Sequence, residues 1–332
     1  MVYLLKRAWS ESPLNAVLVP MLLLVLLVTL APLVQAADPV ADPAVKGNGY
    51  QGAEYWRDVT RGVAGYSATP GNEAGVLINR SGDEWRLVRN QQVKPYGAWL
   101  LGGTLLVLVL VFMLLGRNKI KEGRSGRTLK RWDLVDRVLH WSVAGLFVLL
   151  ALTGLSILYG RHFLLDALGG GFGGFMQFSK LVHNYLGPLF VICLALMLLK
   201  WLGRNIFNAV DLRWFARLGG LFGGHPSAGY MNGGEKMWYW VLFFGGVAIC
   251  ATGLVMDFPN FGQLRDTMQD ANLIHAGVSL VLICGALAHA YMGSLGTEGV
   301  FEGMVSGEVD ENWAKQHHNL WYDEAKGHKP PQ

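Results

Sequence analysis

Apolar residues gather into six long runs, Ala16 to Ala36, Ala98 to Leu115, Val138 to Leu158, Leu181 to Trp201, Met237 to Met256 and Leu273 to Gly293, parted by polar and charged segments. Each is near or above the roughly 18 residues that read as a membrane helix. With only 16% charged residues, against about 25% in soluble domains, the chain reads as an all-α membrane protein. The pattern predicts a four-helix transmembrane bundle from the last four runs. The Ala98 run adds an N-terminal transmembrane helix, and the first run is a signal peptide or anchor.

Charge sets the sidedness. Between Arg117 and Arg131 stand seven basic residues against one acid, so that loop is cytoplasmic by the positive-inside rule. Alternation then places the loops 159–180 and 257–272 in the periplasm. The loop 201–235 and the tail from Ser294 fall in the cytoplasm. Lys6 and Arg7 before the first run, and Val34-Gln35-Ala36 at its end, suit a cleaved secretory signal; an uncleaved anchor is the competing reading. The expected organisation is a signal or anchor over 1–36, a small periplasmic segment over 37–97 and a transmembrane helix over 98–116. A basic cytoplasmic loop over 117–134, a four-helix core over 135–293 and a cytoplasmic tail over 294–332 follow. The location is a bacterial inner membrane.

Composition excludes some classes. The net charge of +4 is small and the basic residues sit beside apolar runs, which is no nucleic-acid signature. Cys193, Cys250 and Cys284 lie singly in different runs, with no CxxC pair to hold an iron–sulfur cluster; they read as buried thiols.

Histidine carries the chemistry. His140, His183, His275 and His289 lie inside apolar runs or within a turn of their ends, where an ionisable group is costly and marks a functional site. Topology puts His183 and His275 at the outer height and His140 and His289 at the inner one. Fourteen residues separate His275 from His289, roughly 21 Å of rise and about four turns, so both project from nearly one helix face. Two imidazoles from neighbouring helices can be the axial ligands of a haem iron. The pattern therefore reads as a bis-histidine di-haem cytochrome b, with Gly145, Gly154, Gly187, Gly277 and Gly285 making room for flat macrocycles. Helix packing explains any one of these glycines equally well. For one histidine alone, a proton relay or interhelical hydrogen bond is an equal reading, and a histidine-gated transporter without cofactor is the rival class. A bare metal site lacks a third ligand at suitable spacing. His162, His225, His317, His318 and His328 fall in polar loops or the tail and are expected to be solvated. Arg131, Arg137 and Arg161 stand at the bundle mouths, as haem-propionate partners or as interfacial anchors.

From about Thr128 to Glu324 the chain resembles the gamma, b-type cytochrome subunit of membrane-bound respiratory formate dehydrogenases. The resemblance is carried by "DRVLHW", "LVHNYLGP", "GYMNGGEKMWYW", "LIHAGVSLVLICGALAHAYMG" and, most specifically, "EGMVSGEVDENWAKQHHNLWYDE". It implies two haem b groups, the outer held by His183 and His275 and the inner by His140 and His289. Electrons would enter from a periplasmic iron–sulfur beta subunit served by a catalytic alpha subunit, and leave to menaquinone or ubiquinone on the cytoplasmic side. A quinone pocket near His289 with Asn232 as a contact is also implied; Asn232 as a plain helix N-cap competes with it. No formate-oxidising residue is expected on this chain, whose role is electron transfer. The first 125 or so residues have no counterpart in the short family form, and residues 38–97 are expected to dock the periplasmic partner. The alternative is the same cytochrome serving a hydrogenase or another periplasmic dehydrogenase.

Overall fold

The computed structural model describes Arg57 and residues 80–220 and 224–327. The expected signal or anchor, most of the segment 37–97 expected in the periplasm, and His328 lie outside these described residues. Among the described residues five helices are long and apolar enough to cross a bilayer: Ser81–Leu115, Leu134–Phe163, Leu165–Arg204, Gly233–Asp257 and Arg265–Gly296. The chain is a multi-pass membrane protein.

The first helix begins earlier than its apolar run. Helix α1 (Arg80–Val88), a π-helical turn (Arg89–Val93) and α2 (Lys94–Leu115) follow without a break. Pro95 follows directly on the π-helical turn, whose wider i to i−5 bonding, Lys94 N–H to the Arg89 carbonyl, takes up the irregularity that a proline inside a helix imposes. The continuous helical course through residues 80–93 needs outside support, which comes from contact with the helix Arg265–Tyr291. Along its apolar length α2 turns its side chains outward, Leu114 being 79% exposed, as a lipid-facing helix should.

The bundle proper consists of α3 (Leu134–Phe163), α4 (Phe172–Trp201), α6 (Gly233–Asp257) and α7 (Arg265–Tyr291), with the short α5 (Ala209–Ala216) in the α4–α6 connection. Helix α3 packs chiefly on α4, and α6 on α7, while α2 lies against α7. Capping boxes fix three of the starts: Asp133 with Asp136, Asn208 with Asp211, and Asn232 with Glu235. Phe190, Leu194, Leu198, Tyr239, Leu242, Ile249 and Leu282 fill the core between the helices.

A cap closes the end of the bundle that carries His140 and His289. Strand β1 (Thr128–Lys130), in the basic loop, pairs antiparallel with β2 (Glu308–Asp310) in the tail, Thr128 opposite Asp310 and Lys130 opposite Glu308. Helices α8 (Val300–Ser306), α9 (Glu311–His317) and α10 (Asn319–Ala325) complete it around a small core of Ile120, Val309, Trp313, Ala314 and Trp321.

Here one expectation is corrected. His318 is buried, only 1% exposed, and its Nδ1 lies 2.8 Å from the Gly229 carbonyl; His317 is half-buried and packs on Trp313 at 5.5 Å. These polar-looking tail residues are covered because the aromatic cap folds over them. Burial, reinforced by the Arg131 guanidinium, pushes the His318 imidazole down to about 3 from 6.5, and burial with His225 beside it pushes His317 down to about 4. Both rings are neutral in the fold, so below pH 6.5 the unfolded tail takes up protons that the cap refuses. Cap stability is therefore full above pH 6.5 and falls as the pH drops toward 4 and then 3. The protection of residues 308–325 relative to intrinsic amide exchange at each pH is expected to fall over that window ahead of the bundle; protection unchanged down to pH 4 would contradict the assignment.

Candidate functional site

The four membrane histidines meet in the two pairs that their heights predict. His183 on α4 faces His275 on α7 with ring centroids 6.1 Å apart, and His140 on α3 faces His289 on α7, also at 6.1 Å. Helix α7 thus contributes one ring to each pair.

The outer pair is held by a repeated arrangement. Thr153 Oγ1 lies 3.0 Å from His183 Nδ1, and Thr252 Oγ1 lies 3.2 Å from His275 Nδ1. His275 Nδ1 also donates to the Ile249 carbonyl at 3.0 Å, while His183 makes a backbone hydrogen bond to Leu150. A ring whose Nδ1 is engaged in this way presents Nε2 as the free lone pair. The residues after the two threonines are glycines for a steric reason: a Cβ at Gly154 would stand 3.1 Å from His183 Cε1, and one at Gly253 3.2 Å from His275 Cε1. Around this pair lies a cavity of about 360 Å³ with apolar walls that include Phe147, Leu150, Phe190, Val191 and Ile249.

Aromatic rings flank the inner pair. Trp238 stacks on His289 at 5.5 Å and 18°, and Trp201 on His140 at 6.3 Å and 24°. Trp238 fits because residue 285 is glycine, where a Cβ would come within 2.4 Å of the indole. Trp201 in turn donates through Nε1 to Asp136 at 2.7 Å, a fully buried carboxylate that also receives Arg204 at 3.0 Å and Lys200 at 3.2 Å. His140 Nδ1 is buried with no hydrogen-bond partner among the described residues, and His289 is exposed.

Asn232 is the N-cap of α6: its side-chain oxygen accepts from the Glu235 amide at 2.9 Å, and Glu235 Oε2 accepts from the Asn232 amide at 2.8 Å. Arg131 is neither an interfacial anchor nor exposed at a mouth. It is 7% exposed, bonded to Glu235 at 3.1 Å and to the Tyr230 carbonyl at 2.7 Å, with its guanidinium 5.0 Å from the centre of Trp313. Arg137 donates to the Val305 carbonyl at 2.6 Å, tying α3 to α8. Both serve the cap. Arg161 and His162 lie in the last turn of α3, His162 exposed as expected.

The sequence profile of the prokaryotic cytochrome b561 family matches residues 131–307, more than half of the chain and all four histidines. The chain belongs to that family. Membership implies haem b. Among curated relatives, the nitrate-inducible formate dehydrogenase cytochrome b556(Fdn) subunit of Escherichia coli (strain K12) is 29% identical over 208 residues, 61% of this chain and 94% of the relative. The formate dehydrogenase cytochrome b556(fdo) subunit of the same strain is 25% identical over 204 residues, 60% of this chain and 94% of the relative. A formate dehydrogenase cytochrome b556 subunit of Haemophilus influenzae is 28% identical over 214 residues, 62% and 87%. The relatives carry the name of the family that the sequence resembles.

The residues of this cytochrome b561 fit the cofactor. Two imidazoles on one metal, each nitrogen roughly 2 Å from it and each ring centre about 1 Å further, place their ring centres roughly 6 Å apart. Both pairs stand at that spacing. At Gly187, which lines the outer cavity, a Cβ would meet nothing within 4 Å, nor would it at Gly145 or Gly277, so these positions leave open space.

Thr153, Thr252, Gly253, Trp201 and Trp238 are site residues that the histidine pattern does not reveal. A signal for the first three exists: "LTGL" at 152–155 and "ATGL" at 251–254 recur at the interval that separates the capping residues Asp133 and Asn232. Thr153→Val or Thr252→Val keeps the shape and removes the hydroxyl beside the ring. Each is expected to weaken cofactor retention roughly 10- to 100-fold, as loss of a hydrogen bond behind a metal ligand does. Haem content across a series of detergent washes reads this directly, and a valine variant that retains haem like the unaltered chain would rule the role out.

Proposed function

We propose that this chain is the cytochrome b subunit of a membrane-bound formate dehydrogenase, with His183 and His275 holding an outer haem b and His140 and His289 an inner one. When bound, the haems supply one-electron carriers near the two membrane faces, between a periplasmic iron–sulfur subunit and menaquinone or ubiquinone on the cytoplasmic side. The observation that carries this reading is the 6.1 Å ring separation found twice in one bundle.

Each element then has a task. Helix α7 sets the spacing of the two centres through the fourteen residues between its histidines. Thr153 and Thr252 fix the outer rings; Trp201 and Trp238 fix the inner ones. The apolar core keeps water from the space between them, which lowers the local dielectric and leaves redox tuning to the protein. The basic loop 117–131, rich in cations that stay on the cytoplasmic side, orients the cap and the inner pair inward. Quinone reduction there takes up cytoplasmic protons, while formate oxidation outside releases them, so the pair of reactions contributes to the proton motive force. Asn232 borders the quinone pocket near His289 with its amide NH2 group, its oxygen being engaged in the cap. Residues 37–97 are exported and meet the catalytic and iron–sulfur subunits, and the tail from Ser294 is cytoplasmic.

The test is spectroscopic. Purified chain is expected to hold two b haems by dithionite-reduced spectrum and extraction, and formate is expected to reduce both in membranes that contain the partner subunits. A colourless chain would end the reading. Reduction by hydrogen and not by formate would transfer the same cytochrome to a hydrogenase.

A further inference from the structure

Arg89 opens the π-helical turn between α1 and α2, ahead of the region 131–307 that the family profile matches. It nevertheless lines the cavity around His183 and His275. Single π-helical turns inside α-helices concentrate at functional sites, because the added residue turns its neighbours to a new direction.

The placement is held from several sides. Trp85 Nε1 donates to Asn272 Oδ1 at 3.2 Å, one turn before His275, and the Ser81 hydroxyl bonds Asp266 in the first turn of α7. Tyr159 on α3 donates to the Lys94 carbonyl at 2.8 Å. Residue 97 is glycine, and a Cβ there would stand 2.5 Å from the Leu280 side chain, so α2 packs tightly on α7 just past the turn. These contacts put a half-buried arginine at the outer mouth of the cavity, its guanidinium 5.8 Å from the centre of Trp85.

Charge at that mouth is unbalanced. The residues lining the cavity that carry a formal charge are Arg89, Lys180 and Asp257, two cations against one carboxylate, and Lys94 stands within electrostatic reach of Arg89. An arginine fork matches a carboxylate in two parallel hydrogen bonds. A porphyrin dicarboxylate seated between His183 and His275 would bring carboxylates to a cavity mouth. We propose that Arg89 is the carboxylate-binding residue of the outer haem site, contributed by the additional N-terminal helix, and that its charge raises the potential of that haem. This rests on the haem reading above. One-electron reduction adds a negative charge to the site, and a nearby cation favours that state over the oxidised one.

The experiment is an equilibrium redox titration of the full chain within its complex, followed by haem absorbance. In Arg89→Gln the reduced-to-oxidised ratio of the outer haem at a fixed potential is expected to fall three- to tenfold, tenfold being about 59 mV for one electron. The inner haem is expected to keep its potential and the chain its two haems. Arg89→Lys, which keeps the charge, is expected to lose little, and Asp257→Asn to shift the ratio the opposite way. An outer haem whose potential is unmoved in Arg89→Gln overturns the proposal. If that variant does not accumulate, an unmoved potential in Asp257→Asn overturns it instead. A haem count that stays at two in His183→Ala overturns the haem reading itself, and the Arg89 assignment with it.

Discussion

Purified with His275 replaced by alanine, the chain is expected to carry one b haem in place of two, and the haem that remains is expected to be the one that His289→Ala loses. The two residues share helix α7, so a general collapse of that helix would remove both haems in both variants. Pairing makes a sharper demand. His183→Ala and His275→Ala should leave the same residual spectrum, and His140→Ala and His289→Ala the complementary one, because the rings meet as 183 with 275 and 140 with 289. Removing an axial ligand should cost far more than the 10- to 100-fold expected when a hydrogen bond behind it is lost. Haem extraction combined with low-temperature spectra of all four variants decides it. A crossed pattern, with His183→Ala resembling His289→Ala, would refute the assignment even if every variant lost one haem.

The second large effect concerns the joint between α5 and α6. Lys236 and Asp211 meet at 2.7 Å with side chains only 5% and 4% exposed. The Asp211 carboxylate also accepts from the Asn208 amide as part of the α5 capping box. In Asp211→Ala the Lys236 ammonium stays buried without its partner, a change that costs about 3–5 kcal/mol in buried pairs. For a bundle of this size that is roughly a 10 °C fall in the unfolding midpoint. Asp211→Ala combined with Lys236→Met is expected to recover most of the loss, since the apolar replacement removes the stranded charge. Thermal unfolding in detergent reads both, and a double variant as unstable as the single would show that the cap, and not the charge, carries the cost.

How far the sequence foretells this depends on which force decides each part. Helices α3, α4, α6 and α7 follow from hydrophobicity, because in a membrane every backbone polar group must bond within its own segment. Which rings meet follows from counting heights along those helices. The course of α1 and the π-helical turn does not follow, since residues 80–93 are polar and hold their helix by contacts such as Trp85 with Asn272, far away in the chain. His318 misleads for the same reason: its burial is made by Trp313 and Trp321 closing over it, which no local window records. Asn232 could be capping residue or ligand contact by type alone, and the hydrogen bonds with Glu235 display the capping role. Thr153 and Thr252 look like ordinary membrane threonines until the rings beside them are placed.

The ladder between β1 and β2 bears on how such a chain is made. Thr128 leaves the ribosome before the four bundle helices, and its partner Asp310 only after all of them. The basic loop therefore waits beside the membrane, unpaired, through the whole of bundle insertion. Closure of the cap over Arg131 and His318 is then a late step of biogenesis, and the pairing of the two strands marks a molecule whose helices are already in place.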